Sequence, residues 1–479
     1  MSLLRVFFWL TYFIIFDSEI TTSSTFKAAV YDKPIIPISY DTKNFSQAIL
    51  NETLKIYKEK ADEARKAGVE ILVFPENGLL PVAIRTRESV YPFLEDIPSP
   101  SFGENACLMP ETSNNYIRRT LSCLARDYSM YIVANVGDKK YCTASDDGCP
   151  PDGRFQYNTN IAFDPNGVLV ARYHKKNLFG ERYFNTPKHT DISFFSTPFG
   201  VVGNFICFDV VFQEPAIDLI EKHNIDIVAF PTAWMNVLPF YSAVPFHSSW
   251  SYVMGVSFLS SNLRFPPMRF SGSGIYAPDG VKVHRNDDTV FDGKLLVSDV
   301  KKGRRNIIYH QKIEFNGFVS SEETFQSQVF GDNYTMSLLP QEESSGTVRV
   351  CNNGLCCKID YENRTKTEKD KFALGVFKGM HFKEGTYYLE MCLLLRCADY
   401  NDVSSCGQWT EESSTKFDYL NIQANLTSRY AFPVYVSEGI SPSSGDWSYD
   451  GYSLISNGAQ KPLLTAGFYA RCFDLDPEI

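Results

Sequence analysis

The chain has 479 residues, 44% of them hydrophobic, which is enough for more than one packed core. Its formal charge of −10 comes without any long Lys/Arg run, so the phosphate-neutralising surface of a nucleic-acid binder is missing. Two domains are expected, and nucleic acid is set aside as a partner.

At the start, Arg5 precedes the apolar run Val6–Phe16, and Ser18–Ser24 is polar and rich in small residues. This reads as an export signal spanning 1–24 and cleaved between 16 and 24, since a membrane-crossing helix needs about twenty apolar residues. Secretion is expected on two further grounds. Asn-X-Ser/Thr sequons stand at Asn44, Asn51, Asn333, Asn363 and Asn425. Of twelve cysteines, seven lie after position 350, which suggests a disulfide-stapled C-terminal region. If Cys207 is a free thiol, the remaining eleven cannot all pair, so at least one more is free or intermolecular. Cys123, inside a helical stretch, is expected to be a buried inert thiol, while Cys142 and Cys149 flank a polar loop that can close on itself.

Phe26–Tyr31 reads as a strand. Leu50, Leu54, Tyr57, Ala61 and Ala64 then recur at helical steps, Gly68 stands where a cap glycine ends the helix, and Val69–Phe74 is a buried strand bounded by Pro75. The order repeats with a helix over Asn114–Tyr128, carrying Ile117, Leu121, Leu124 and Tyr128 on one face, and a strand over Met130–Val136. Asn158–Phe163 and Val168–Tyr173 flank Asp164-Pro165-Asn166-Gly167, a hairpin turn. Strand Gly200–Ile206, helix Ala216–His223, strand Ile225–Phe230 and a helix near Ser242–Leu259 complete an α/β unit. After about residue 303 the pattern changes to short alternating apolar stretches dense in Cys, such as Gly385–Met391, which predicts a smaller β-rich domain. Lys301-Lys302-Gly303-Arg304-Arg305 reads as a solvated linker between domains 25–303 and 304–479.

Three stretches carry chemistry: Phe74-Pro75-Glu76-Asn77, Tyr173-His174-Lys175-Lys176-Asn177-Leu178 and Phe205-Ile206-Cys207-Phe208-Asp209. Each puts a reactive side chain at the carboxyl end of an apolar strand, where open α/β sheets hold their ligands. Taken singly, each has an ordinary structural explanation, because free Cys is mostly core and strand-end Glu and Lys are mostly surface. Taken together they suit amide hydrolysis. Glu76 would take the Cys207 thiol proton, the thiolate would attack the carbonyl carbon, and Lys175 with the Phe208 N–H would hold the oxyanion. The amine would leave with a proton from Glu76, and water would hydrolyse the thioester.

The combination resembles the nitrilase superfamily of carbon–nitrogen hydrolases, in which Glu, Lys and Cys follow in this order within matching motifs. His174 and Asn177 depart from that family's common Arg and His. They fit its vanin and biotinidase branch, which Phe230–Pro239, Gly272–Pro278 and Gly385–Leu389 also resemble. The resemblance implies an αββα-sandwich catalytic domain of the α/β class followed by the smaller disulfide-containing domain. It implies no metal and no organic cofactor, with a small-molecule amide as substrate. Val237-Leu238-Pro239 and Phe246–Trp250 are more like vanins, which are pantetheinases, than like biotinidase. Biocytin hydrolysis, or a catalytically silent interaction protein on the same scaffold, remain the alternatives.

Phe208, Trp234 and His247 are candidate substrate-binding residues, with core packing the competing explanation for Trp234, Trp250 and His247. Glu181 either orients Lys175 or lies on the surface. The charged end Tyr469–Ile479 has no hydrophobic run, so neither a transmembrane segment nor a tail for GPI attachment is expected. Oligomeric state is left open.

Overall fold

The computed structural model describes residues 24–39, 41–81, 84, 86–112, 114–287, 289–315, 320, 323–365, 369–442 and 447–477. The expected export signal lies, apart from Ser24, outside the described residues.

The strand Thr25–Pro34 is the hub. It pairs in parallel with Ile71–Val73 through residues 28–30, antiparallel with Lys294–Lys301 through residues 25–32, and in parallel with Ser257–Arg264 only at Lys33 and Pro34. One strand therefore belongs to two sheets that face each other. The first sheet continues from Ile71–Val73 to Tyr131–Tyr141, Arg154–Phe163 and Leu169–His174. The second runs from Ser257–Arg264 to Ile227–Thr232, Gly200–Asn204 and Phe194–Thr197.

Side-chain alternation then makes the layers. Phe26, Ala28 and Val30 point between the sheets and pack with Val133, Val202, Ala229 and Leu259. Ala29 and Tyr31 point the other way, onto the helices Phe45–Lys66 and Tyr116–Tyr128. Helices Asp218–His223 and Ala243–Met254 cover the second sheet. This is the four-layer α-β-β-α arrangement expected.

Several boundaries differ from expectation. The helix near Ser242–Leu259 ends at Met254, because Gly255 turns left-handed at φ 72°, and Ser257–Arg264 is a strand. The strand over Gly200–Ile206 ends at Asn204, where the chain begins its turn toward Cys207. Arg304 and Arg305 are exposed but pinned: Arg304 Nη2 donates to Asn224 Oδ1 at 2.7 Å and Arg305 stacks 4.6 Å from the Tyr252 ring centre.

From Phe325 onward the chain forms a seven-stranded and a five-stranded sheet. Cys357–Cys392 ties a strand of one to a strand of the other, and Cys351–Cys356 and Cys397–Cys406 close local turns. Cys142–Cys149 closes its loop as expected. Cys123 is not a free thiol: the helix Tyr116–Tyr128 lies against the turn Ala106–Leu108, and Cys123 bonds to Cys107 there. The two free cysteines are Cys207 and Cys472. Phe246 packs against Phe432 and Tyr469, so the second unit docks on the helix Ala243–Met254.

Candidate active site

Four strand ends, the middle of a fifth strand and one loop converge on one buried cluster. Glu76 follows Ile71–Val73, and beneath it Tyr57 stacks on Phe74 with ring centres 3.8 Å apart, so the apolar face of the first helix seats the Pro75-Glu76 turn. Lys175 follows Leu169–His174, Cys207 follows Gly200–Asn204, and Ala233 follows Ile227–Thr232. Asn158 sits in Arg154–Phe163, and Glu181 comes from the loop after Lys175.

Lys175 Nζ donates to Glu76 Oε1 at 2.7 Å and to Glu181 Oε2 at 2.6 Å, with all three residues buried. Burial works against the ammonium, but Glu181 and Glu76 outweigh it and hold its pKa well above the ordinary lysine range. Burial, aided by Glu76, pushes the Glu181 carboxyl above its usual value despite Lys175 beside it. The second oxygen of Glu76 accepts the Ala233 N–H at 2.8 Å. Glu181 thus contacts the lysine, and is not a surface residue.

Cys207 has a left-handed backbone, φ 46°, which for a residue with a Cβ costs about 1–2 kcal/mol and must be held from outside. Asp209 holds it. One carboxylate oxygen accepts the Ile206 N–H at 3.0 Å and the Tyr173 hydroxyl at 2.9 Å. The other accepts both the backbone N–H and the side-chain amide of Asn177, each at 2.9 Å. Burial, opposed by Lys175, pushes Asp209 up to about 6. The cysteine turn is therefore bolted to the lysine loop by one carboxylate.

The Cys207 thiol is raised by burial and then by Glu76, while Lys175, the Thr232 hydroxyl and the Ala233 N–H draw it down. The raising influences win, so the resting sulfur keeps its proton and needs a base to lose it. His174 sits behind the lysine between Asp138 and Asp191, each 2.8 Å from a ring nitrogen, and they raise its pKa against burial.

Cys207 opens onto two adjoining cavities. One, of about 190 Å³, is lined by Glu76, Lys175, Tyr183, Leu263, Met268 and Phe270 among others. The other, of about 40 Å³, is lined by Phe208, Trp234, Tyr241, Phe330, Lys383 and Tyr387 among others. Phe330, Lys383 and Tyr387 belong to the second unit, so both units wall the site. Two of its hairpin tips are tied together there: His381 Nδ1 lies 2.8 Å from Asp332 Oδ2, and Lys383 Nζ sits 4.4 Å over the Phe330 ring.

Of the candidate substrate-binding residues, Phe208 and Trp234 line the second cavity and His247 lines neither. His247 is fully buried on the core side of the helix Ala243–Met254, where its ring packs against Phe230 and Trp234, each 5.0 Å away. Burial depresses its pKa to about 3. Sequence reasoning did not single out Asn158 or Asp209; an amide within the apolar run Asn158–Phe163 was the signal available for the first. Among the described residues no group of three His, Cys, Asp or Glu is arranged to hold a metal. No helix among them is long and apolar enough to cross a membrane.

Residues 35–253 match the carbon–nitrogen hydrolase family and residues 323–476 match the Vanin C-terminal domain. Pantetheinase of Mus musculus is 40% identical over 470 residues, covering 94% of this chain and 90% of that protein. Pantetheinase of Bos taurus is 39% identical over 476 residues, covering 96% and 92%. Biotinidase of Mus musculus is 34% identical over 492 residues, covering 93% of each.

Proposed function

The chain belongs to the carbon–nitrogen hydrolase family, in its vanin branch, and is an amide-hydrolysing enzyme; we propose that the amide is pantetheine, cleaved to pantothenate and cysteamine. The observation that carries the chemistry is the Lys175 ammonium held by Glu76 beside the reduced, cavity-lining Cys207. Preference for pantetheine over biocytin is supported by the higher identity to the pantetheinases, 40% against 34%.

In this reading Glu76 takes the thiol proton as the sulfur attacks the amide carbon. A neutral resting thiol suits that order, because the proton moves only when substrate is in place. Lys175 and the Phe208 N–H face the oxygen on which charge develops, and losing one such donor typically costs about 2.7–4 kcal/mol of barrier. The C–N bond breaks, the amine leaves with the proton from Glu76, and water, deprotonated by the same carboxylate, hydrolyses the thioester and frees Cys207. No metal or organic cofactor enters these steps.

The proposal also has the chain exported and glycosylated. Five disulfides suit an oxidising compartment, and Asn44, Asn51, Asn333 and Asn363 are exposed. Asn425 is half-buried with its amide engaged, accepting from Cys356 N at 2.6 Å and donating to Gly354 O at 3.1 Å, so it is the least free of the five acceptors.

The test is turnover of pantetheine and of biocytin by the purified chain and by Cys207→Ala. Pantetheine is expected to be the better substrate of the wild type, with no turnover by the variant. Preference for biocytin would overturn the substrate, and no hydrolysis of either amide would favour an interaction protein on this scaffold.

A further inference from the structure

The two carboxylates flanking Lys175 share more than the ammonium. The side-chain amide nitrogen of Asn158 donates to Glu76 Oε1 at 2.8 Å and to Glu181 Oε1 at 2.6 Å. Its two hydrogens are therefore both used, one on each carboxylate. Its backbone oxygen accepts the Lys175 N–H at 2.8 Å, so the same residue also places the lysine.

The direction of that amide is fixed from both ends. The Asn77 backbone N–H, which can only donate, bonds to Asn135 Oδ1 at 2.9 Å. Asn135 must then present its nitrogen onward, and it does, to Asn158 Oδ1 at 2.6 Å. Asn158 in turn presents its nitrogen to two groups that accept when ionised. The relay starts at Asn77, whose left-handed φ of 53° lies immediately after Glu76, and it ends on Glu76 and Glu181. It closes a ring that returns to Glu76 through Asn135 and Asn158 on two neighbouring strands.

We propose that Asn158, oriented by Asn135, is the positioning residue that keeps Glu76 and Glu181 apart and ionised around Lys175. The need is electrostatic. Two buried carboxylates on one ammonium leave a net negative charge, and carboxylates sharing one site favour protonating one of them. A neutral two-hydrogen donor between them offsets this without adding charge. Glu76 can then stay a base while Glu181 holds the lysine. The inference rests on reading Glu76, Lys175 and Cys207 as the reacting groups. The charged and titratable groups facing this point are Glu76, Glu181, Lys175 and Cys207, with Asp209 beyond the lysine.

The test is Asn158→Asp, which keeps the shape but replaces the donor with a third carboxylate. Turnover of pantetheine is expected to fall roughly 100-fold near neutral pH, in kcat more than KM. The acid limb of the kcat/KM profile is expected to move up by about one unit or more, because the added charge disfavours ionised Glu76. Loss of activity by the same factor at every pH, with the limb unmoved, would overturn the proposal in favour of a structural role; so would a wild-type profile. If Asn158→Asp does not fold, Asn135→Ala decides: it keeps Asn158 but removes its orienting donor, and a smaller shift of the same sign is expected, an unshifted limb overturning the inference. Alkylation of Cys207 by iodoacetamide, followed against pH in both variants, needs no substrate. A more alkaline alkylation profile supports the positioning role even if pantetheine proves not to be the substrate, and an unchanged one overturns it. Full turnover by Glu76→Gln would instead remove the reading on which the inference rests.

Discussion

Lys175 Nζ lies 2.6 Å from Glu181 Oε2, with both groups shut away from water and a second carboxylate, Glu76, on the same ammonium. Breaking such a cluster from one side strands buried charge, which typically costs about 3–5 kcal/mol. Lys175→Met is therefore expected to lose turnover and to lower unfolding free energy by about that amount, measured in denaturant. Retention of either property would contradict the geometry. The pH sign follows from the raised lysine: its stabilisation is complete below the unfolded value of 10.5 and is lost only as pH rises through the higher folded value. Neutral buffers should leave this contribution of the cation intact.

Glu181→Gln keeps the size of the side chain but removes its charge from the lysine. Turnover is expected to fall about 100-fold and the melting temperature to drop, because Asn158 donates to one carboxylate oxygen and Phe179 with Lys175 to the other, and the amide keeps only one acceptor. Wild-type turnover would place Glu181 outside the chemistry.

His247 gives a stability prediction of the opposite kind. Its folded pKa, about 3, lies below the ordinary 6.5, so the unfolded chain binds a proton that the folded chain refuses. Stability is therefore lost as pH falls below 6.5 and goes on falling toward 3. At a pH about 1.5 units below the unfolded value the penalty is about 2 kcal/mol. His247→Phe should lose less stability between neutral and mildly acidic buffer than the wild type does, with KM for pantetheine unchanged. A raised KM would return His247 to the substrate site.

How far the sequence reached depends on the range of the contacts involved. The αββα core was legible because Phe26–Tyr31, Val69–Phe74 and Met130–Val136 are apolar runs bounded by Gly, Pro and Asn, and helical spacing separates the first from the second. Glu76, Lys175 and Cys207 stand at the ends of such runs, which is why the sequence offers them as candidates. Glu181 has no periodicity around it, and its partner is known only once the loop closes. Cys123 was misread because a helical face does not reveal a cysteine in a turn 16 positions upstream. Nothing near Phe330 or Lys383 could link them to Cys207, since docking of the second unit alone brings them there. His247 has the aromatic neighbours of a pocket residue and the burial of a core one, and burial prevails.

Phe330 offers a test of the shared wall. Its backbone is left-handed, φ 51°, at a hairpin tip held by His381 and Asp332, so truncating the ring removes cavity surface and leaves the His381–Asp332 hydrogen bond in place. Phe330→Ala is expected to raise KM for pantetheine about tenfold with Cys207 alkylation unchanged. An unchanged KM would exclude the second unit from substrate contact.

Thiol chemistry checks the cysteine assignments. Without reductant, denatured protein should take up two equivalents of alkylating agent, at Cys207 and Cys472. In the folded protein the label should be found at Cys207, which lines the cavity, and excess pantetheine should slow it. Labelling at Cys107 or Cys123 would contradict their pairing.

The most direct measurement is of the covalent intermediate itself. Pantetheine is mixed with the enzyme, quenched in acid within the first turnovers, and the intact and digested protein weighed by mass spectrometry. The account predicts one pantothenoyl group, on the peptide carrying Cys207 and absent from Cys207→Ala. Steady hydrolysis with no acyl adduct at any quench time, or an adduct on another residue, would contradict it.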